Sequence, residues 1–340
     1  MKILTHNNKV LIKNDEKIIK KNTETRIKPI LDATKNSAYL FSEYLGTSVD
    51  DLISYSDTEN VTDMEGMFYY CENLQTIPQL NTSNVTNMNS MFGGCTNLQT
   101  IPELDTSEVT NMGCMFSDCD NLSSLPKINF KKNIDVSYMF AYCNKLINIV
   151  IPNGMNLDSE GTFSNCENLE VITFEEGTTT TGNLTFENCY KLKEINFPSS
   201  LTTIGGYSFF NCKGLTSITI PNTVLKFEGG AFSGCDSMEN ITLPFVGDDI
   251  SGESETHLGW IFGANNSDEN EDYVPDSLKK VVVIGGNVSG DFAWCKKIVE
   301  IVLSEEAQSL NESAFWKCES LISIRIPPLI TSLPFGTFEG

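Results

Sequence analysis

Apolar residues return at fixed offsets along most of the chain, and the stretch that begins at Cys212 shows the rule. Leu215, Ile218 and Ile220 are apolar there, and polar residues separate them. The alternation over positions 218–220 predicts a short β-strand that buries one face. The same frame occurs at Leu146, Ile149 and Ile151; Leu169, Ile172 and Phe174; Leu192, Ile195 and Phe197; Met238, Ile241 and Leu243; Leu278, Val281 and Val283; Ile298, Ile301 and Leu303; and Leu321, Ile324 and Ile326.

Cysteine spacing gives the period of this repeat. Cys71, Cys95, Cys119 and Cys143 are 24 residues apart, and the steps from Cys143 to Cys235 are 23 residues. A period in the twenties indicates a solenoid, in which each coil buries its core by stacking on the next. Because stacked strands lie about 4.8 Å apart, the frames predict a long, narrow parallel sheet.

Ten of the eleven cysteines occupy the repeated position, and only Cys114 lies outside it. A phenylalanine three residues before each of the ten is expected to fill the core, with the cysteine as a small buried neighbour. Parallel, inward-pointing side chains do not aim their sulfur atoms at each other, so we expect free thiols. The chain has no CxxC pair, and Cys114 and Cys119 lack histidine partners, so we expect no metal site.

The coil occurs in two versions. The early version is Val-Thr-x-Met-x-x-Met-Phe-x-x-Cys, at residues 61–71, 85–95 and 109–119. The later version has Ile204-Gly205 and Phe209 before Cys212. These motifs resemble the BspA-like, or Treponema-type, leucine-rich repeat family of bacterial surface proteins, over roughly residues 58–340. The resemblance implies an α/β-type leucine-rich repeat solenoid of 23–24-residue coils that serves adhesion and protein contact without catalysis.

The first 35 residues differ from the rest in charge. They contain nine Lys or Arg and four Asp or Glu, whereas the whole chain has a net charge of −22. Short apolar runs separated by Asn-Asn and Asn-Asp turns predict a β-meander over residues 2–20. Short hairpins are marginal alone, so residues 1–35 are expected to form a basic arm that docks on a larger assembly. This organisation looks like that of phage or prophage tail proteins; a solubilising tail or a disordered or locally folded leader is the alternative.

Residues 36–57 are predicted to form an N-terminal helical cap. Residues 37–45 have helical spacing and a glycine stop, and Ser48 offers an N-cap to a second short helix. A solenoid needs such a cap because its open first coil would expose core and strand edge. The solenoid itself is then expected over residues 58–340.

An insertion interrupts the repeat between Cys235 and Cys295, which are 60 residues apart. Two coils account for 46 residues, so about 14 are inserted, and a protruding acidic loop is predicted within residues 245–276. That segment has no Lys or Arg. Its nine carboxylates are Asp248, Asp249, Glu253, Glu255, Asp268, Glu269, Glu271, Asp272 and Asp276.

Three aromatic residues of the insertion are candidate binding residues. Trp260, Phe262 and Tyr273 would be recognition anchors on an irregular loop. Alternatively, Trp260 and Phe262 pack the loop against the solenoid and the acids are solvated. A calcium site at residues 265–270 is conceivable, although the spacing of its oxygen donors is irregular.

The outward positions of the strands form a second candidate surface. A flat row of short polar groups suits an extended polypeptide or glycan chain, although Thr and Val are also favoured on any sheet face. The row consists of Val150, Thr173, Asn196, Thr219, Thr242, Val282, Val302 and Arg325, and its polar members Thr173, Asn196, Thr219, Thr242 and Arg325 are the candidate binding residues.

The composition of the chain and the motifs that it lacks restrict the classes of function that we expect. The strong negative charge argues against nucleic acid and anionic membranes as partners. No apolar run is long enough for a signal peptide or a membrane span. His6 and His257 have no partner spacing for metal or catalysis, and no nucleophile elbow or phosphate loop is present. We therefore expect neither an enzyme nor a cofactor.

The sequence favours a non-enzymatic recognition or adhesion module that binds a receptor or host protein or glycan on a cell surface. A tail-associated protein in a virion, or outside the cell after lysis, with a possible homo-oligomeric state, is the first form of this hypothesis. The alternatives are a surface adhesin that lacks its export signal here and an intracellular scaffold. The last motif, at residues 338–340, stops one residue before the expected cysteine, so we expect a further segment or a partner to cover that coil.

Overall fold

The computed structural model divides the chain into two compact units of stacked coils. Unit 1 is Met1–Asn168 and unit 2 is Leu169–Gly340. The predicted solenoid of 23–24-residue coils is confirmed by hydrogen bonds that join each coil to the next within both units. The described residues are 2–6, 9–14, 17–20, 35–50, 52–130, 134–252, 255–285 and 291–339.

Three antiparallel strands begin unit 1, at the positions predicted for the meander. They are β1 (Lys2–His6), β2 (Lys9–Asn14) and β3 (Lys17–Lys20), in the order β1-β2-β3. The rest of the predicted arm up to residue 34 lies outside the described residues. The described part of the arm is therefore a small sheet of its own.

The helix predicted over residues 37–45 is wrong, because this segment is already a coil of the solenoid. The Phe41 amide donates to the Met67 carbonyl at 2.8 Å, across to the next coil. The rings of Phe41 and Phe68 stack with centroids 5.4 Å apart. The apolar spacing that suggested a helix is the spacing of core residues in a coil. At the second predicted helix, Leu52 lies in a turn, Leu52 and Ile53 donate their amides to the Val49 carbonyl, and a 3₁₀ turn follows at Tyr55–Asp57.

The early coils of unit 1 are joined by single bridges, and the one solenoid strand described in this unit is β4 (Asn148–Ile151). At each bridge an Asp or Asn caps its own turn; the Asp63 carboxylate, for example, accepts the Glu65 amide hydrogen at 3.0 Å. Because these side chains satisfy the backbone locally, bridges replace strands. The bridged residues are Asn36, Asp63, Asn87, Asn111 and Asp135.

Left-handed residues flank the phenylalanine of most described coils, two positions before and two positions after it; the coil of Phe262 in the insertion departs from this rule. Around Phe116 they are Cys114, with φ of 53°, and Asp118, with φ of 58°. This alternation turns the amides of Cys114 and Phe116 toward the next coil, where they donate to carbonyls at 2.8 Å. The side of the coil that contains the phenylalanine is therefore a stack of turns. Cys114 occupies one of the left-handed turn positions, so it lies outside the cysteine row.

Unit 2 contains the regular strands. Five of them form a parallel sheet in the order β13-β12-β11-β10-β8, while β5 pairs with β6 and β7 pairs with β9, both in parallel. The predicted frames are in register, since Ile241 lies opposite Ile218 and Val281. The strands are β5 (Val171–Phe174), β6 (Glu194–Asn196), β7 (Thr203–Ile204), β8 (Ser217–Thr219), β9 (Lys226–Phe227), β10 (Asn240–Leu243), β11 (Lys280–Val283), β12 (Glu300–Val302) and β13 (Ser323–Arg325).

The insertion of unit 2 forms short helices instead of a free loop. Leu258–Phe262 and Ser267–Glu269 are 3₁₀ helices, and helix α1 spans Asn270–Tyr273. The Phe232 amide donates to the Ile261 carbonyl at 2.7 Å, the kind of bond that joins other coils. The first part of the insertion therefore stacks as a coil, and the protruding loop predicted there is wrong.

Candidate binding surfaces

The exposed face of the five-stranded sheet in unit 2, here called the outer sheet face, gathers several of the predicted binding residues. Thr242 lies opposite Thr219 on one side and opposite Val282 on the other. Val302 then lies opposite Val282 and Arg325. A second exposed row runs beside the first and consists of Ser217, Asn240, Lys280, Glu300 and Ser323.

Thr173 and Asn196, the other two candidate binding residues of the predicted row, lie in another sheet. Thr173 on β5 and Asn196 on β6 are paired, and the Asn196 amide donates to the Thr173 hydroxyl at 3.3 Å. Asn196 also donates to the Glu194 carboxylate at 3.0 Å. The candidate binding residues of the predicted row therefore form two groups within unit 2, of which the group on the outer sheet face is the larger, and Val150 of the same row lies on β4 in unit 1.

Charges on the outer sheet face are paired across its strands. The Lys280 ammonium lies 2.9 Å from the Glu300 carboxylate, and the Arg325 guanidinium lies 3.1 Å from Glu305. Both pairs are exposed, so each contributes little to stability. The face consequently combines short hydroxyl and amide groups, half-buried valines and balanced charge.

The structure corrects the predicted recognition anchors of the insertion. Phe262 is only 1% exposed and fills the phenylalanine position of a coil. Trp260 donates its indole N–H to the Phe227 carbonyl at 3.0 Å, and its own carbonyl accepts from the Gly230 amide at 2.9 Å. The packing alternative therefore holds for these two side chains. Trp260 remains half-buried, and Tyr273, which is 44% exposed, is the most accessible of the three.

Three carboxylates of the insertion, Asp268, Glu269 and Glu271, have local partners. The Trp294 indole donates to Asp268 at 3.0 Å, and Glu271 pairs with Lys296. Hydrogen bonds from the Asn265 amide hold the pKa of Glu269 below its usual value. Within the described residues, no group of three or more His, Cys, Asp or Glu is arranged to hold a metal ion. These three acids therefore hold the turns of the insertion and its contact with the following coil.

A buried polar cluster in the insertion was not visible in the sequence. Asn270 is fully buried, accepts from the Gly259 amide at 2.9 Å and donates to the Ala293 carbonyl at 2.8 Å. Its side-chain oxygen also lies 3.2 Å from Nδ1 of the buried His257. The cluster connects the helices of the insertion to the following coil. His257 therefore has a structural role.

The cysteine row has a hydrogen-bonding function. Cys71 donates its thiol to the Phe41 carbonyl at 2.9 Å. Cys95, Cys119, Cys143, Cys166, Cys212, Cys235 and Cys318 likewise donate to the phenylalanine carbonyl of the preceding coil. Burial raises the pKa of Cys166 and Cys235 to about 12. These thiols stay protonated at neutral pH and are not nucleophiles. All eleven cysteines are free thiols.

Tyrosines cover glycines of the next coil at the left-handed positions. The Tyr39 ring lies against Gly66, where an added Cβ would come within 2.3 Å of ring atoms. Gly66 also has φ of 52°, so this position excludes side chains for two reasons. The same arrangement joins Tyr70 to Gly94, Tyr138 to Gly161 and Tyr207 to Gly230. The sequence signal is a tyrosine and a glycine at equivalent positions of consecutive coils.

Comparison with models of known families identifies the family of this chain. The family model for the BspA type leucine rich repeat region matches in six copies, over residues 132–253 and 279–340, which is more than half of the chain. The chain belongs to the BspA-type leucine-rich repeat family. Residues 35–151, which precede and overlap these BspA-type repeats, match a family described as a Mycoplasma protein of unknown function. A search of curated proteins gave no match.

Solved leucine-rich repeat proteins resemble this BspA-type chain. One from Bacteroides ovatus is 22% identical, with 78% of this chain and 70% of that chain covered and a TM-score of 0.47. The T. pallidum leucine-rich repeat protein is 21% identical, with 54% and 81% covered and a TM-score of 0.36. One from Eubacterium ventriosum is 20% identical, with 82% and 79% covered and a TM-score of 0.38.

Family membership agrees with a protein-binding or adhesion module. Among the described residues of this BspA-type chain, no helix has the length and apolar character to cross a membrane. The repeated motif residues are buried in the packing between coils. The surfaces accessible to a partner are therefore the outward-facing positions of the sheets and coils.

Proposed function

We propose that the chain is a non-enzymatic recognition module that binds an extended polypeptide of a cell-surface protein across the outer sheet face of unit 2. The observation that carries this proposal is the register of β8, β10, β11, β12 and β13. Equivalent side chains recur every strand, about 4.8 Å apart, so one surface offers two ordered rows of contacts.

The chemistry of this face supports a polypeptide partner. Thr219 and Thr242 present hydroxyl groups, while Val282 and Val302 present half-buried apolar groups beside them. A peptide backbone can hydrogen-bond to the former and place apolar side chains on the latter. Since the chain has a net charge of −22, a neutral or basic segment is favoured over an acidic one.

The test is peptide selection followed by substitution. Extended peptides are selected from a displayed library on the whole chain, and their affinity is then measured for Thr219→Arg and Thr242→Arg variants. Each variant places a long charged side chain on the outer sheet face, so we expect at least a tenfold rise in Kd. Thr179→Arg, at an exposed threonine away from this face, is the matched control and should bind as the parent does. Equal affinity for all variants would remove the outer sheet face as the binding surface.

Residues 1–35 support a second role, attachment to a larger assembly. The observation that favours it is the separate antiparallel sheet of β1, β2 and β3 in a segment that is basic, while the rest of the chain is acidic. We propose that this segment docks on a tail-like particle or on further copies of the chain, with the solenoid facing the host. Light scattering of the full chain and of a chain without residues 1–35 tests the self-association form. A monomer in both cases contradicts that form.

A further inference from the structure

A groove of about 380 Å³ crosses consecutive coils of unit 1, far along the chain from the outer sheet face. It is called the edge groove here, and its main lining residues are Tyr55, Gln79, Asn81, Glu103, Asp105 and Asn129. Its volume falls at the small end of the range for ligand pockets, which suits a few saccharide rings. We propose that the edge groove binds a neutral glycan, with one sugar ring stacked on Tyr55.

The repeat builds the groove. Gln79 and Glu103 are 24 residues apart, as are Asn81, Asp105 and Asn129, so equivalent side chains lie on successive coils. Successive coils stack about 4.8 Å apart, which is close to the length of one sugar ring. A linear glycan that runs along the stack therefore meets the same kind of polar group at each residue.

Alternating burial gives the groove a firm floor and polar walls. Leu80 is buried between the exposed Gln79 and the half-buried Asn81, and Leu104 is buried between the exposed Glu103 and Asp105. The two leucines anchor this backbone in the core, so the polar side chains project from a fixed base. Pre-arranged groups lose less conformational freedom on binding.

Two polar side chains on these walls, Asn81 and Gln79, keep hydrogen-bonding groups available for a ligand. The Asn81 side-chain oxygen accepts from the amide and the hydroxyl of Ser83, at 3.2 and 2.8 Å, and its Nδ2 donates to no described group. Gln79 donates its Nε2 to the Glu103 carbonyl at 2.6 Å, which leaves its Oε1 as an acceptor. Donors and acceptors side by side match sugar hydroxyls, each of which can donate and accept.

Tyr55 supplies the aromatic platform. It is 54% exposed, and its backbone is fixed in a 3₁₀ turn. Both the amide and the hydroxyl of Ser54 donate to the Asp57 carboxylate, at 2.9 and 2.8 Å, which closes this turn. The negative face of a phenol ring attracts the C–H face of a pyranose. Tyr55 therefore lines the groove from a fixed turn, with about half of its side chain accessible to a ligand.

Charge and shape decide between ligand classes. The described side chains that line the groove include the carboxylates of Glu103 and Asp105 and no Lys or Arg, which disfavours phosphorylated, sulfated and sialylated ligands. Tyr55 is the one large exposed apolar group among them, whereas protein interfaces centre on several buried aromatic or aliphatic anchors. A neutral glycan fits this lining better than a protein or an anionic sugar does.

The test uses saturation-transfer NMR and titration of the full chain with neutral cello-, malto-, manno- and chito-oligosaccharides. We expect at least one of them to bind and Tyr55→Ala to raise its Kd at least tenfold. Asn129→Ala, at an exposed side chain with no recorded hydrogen bond, should weaken the same binding without disturbing the fold. Tyr190→Ala removes an exposed tyrosine of unit 2 and is the matched control that should bind normally.

The proposal is overturned if none of the neutral oligosaccharides binds at millimolar concentration, or if binding survives both Tyr55→Ala and Asn129→Ala. Equal binding of a sulfated or sialylated oligosaccharide would also overturn it, because the carboxylates should repel such ligands. Peptides selected for the outer sheet face should bind the groove variants normally. A peptide that instead lost affinity with Tyr55→Ala would identify the groove as a protein site.

Discussion

A shift from pH 8 to pH 10 should destabilise the solenoid strongly, because its core contains protonated thiols. Burial raises the pKa of Cys166 in unit 1 and of Cys235 in unit 2 to about 12. In the unfolded chain a thiol ionises near its ordinary value of about 8.5. Between these values the unfolded chain binds fewer protons than the folded one, so the free energy of unfolding falls as pH rises.

The size of the effect follows from the two pKa values. Each fully buried thiol should lower the free energy of unfolding by roughly 2 kcal/mol between pH 8 and pH 10, because the unfolded thiol ionises over about 1.5 pH units above its pKa and one such unit corresponds to about 1.4 kcal/mol. Burial also raises the pKa of Cys143 in unit 1 and of Cys212 and Cys295 in unit 2 well above the ordinary value. The sum over one unit is several kcal/mol, against a typical domain stability of about 5–15 kcal/mol.

Urea denaturation followed by circular dichroism at pH 8, 9 and 10, with a reductant present, measures this loss. The midpoint should fall at each step, and it should fall less for Cys235→Ala, which lacks one ionisable thiol. Ionisation of exposed tyrosines is common to both proteins, so it cancels in the comparison. A midpoint that does not move, or an identical pH dependence for Cys235→Ala, would refute the reasoning.

Two pairs of substitutions test the roles of individual residues. Trp260→Ala should cost roughly 3 kcal/mol of stability, because it removes a packed ring and an indole hydrogen bond, whereas Tyr273→Ala should change thermal stability little. Equal melting temperatures would contradict this difference. Gly66→Ala should cost roughly 1–3 kcal/mol, since a Cβ would meet the Tyr39 ring at a left-handed position. Gly113→Ala, whose Cβ would meet mainly the end of a flexible side chain, should be milder; the reverse order in melts would count against the tyrosine–glycine pairing.

The strand frames of unit 2 were predictable because burial on one face leaves a direct mark on the sequence. Ile218 and Ile241 alternate with polar neighbours, and Val281 falls in the same frame; a slip of one residue would expose them, so the pattern fixes the register. The family resemblance was equally clear, because the same motif is repeated many times.

The helical cap was mispredicted because left-handed turns are hidden in ordinary residues. Tyr39 has φ of 54° and Glu43 has φ of 60°, although both residue types normally favour helices or strands. Contacts with the next coil hold these conformations, and local propensity does not record them. A comparison of Ser37-x-x-Leu40-Phe41 with Met64-x-x-Met67-Phe68 would have revealed the extra coil.

The insertion was mispredicted as a protruding loop for a related reason. Its coil lacks the cysteine that marks the others, so Trp260 and Phe262 looked like part of an irregular loop. The pattern Leu258-x-x-Ile261-Phe262 nevertheless has the spacing of the early coils. The edge groove was missed because its polar side chains look like ordinary solvated positions in each single coil, and their alignment appears only when coils are stacked.

The most direct measurement of the proposed function is the position of a bound peptide. A photoreactive amino acid is placed at position 242 on β10, and separately at position 179, in the whole chain with a peptide selected on the parent protein. We predict that light cross-links the peptide to position 242 and not to position 179. Cross-linking at 179 alone, or at neither position while binding persists, would contradict recognition on the outer sheet face.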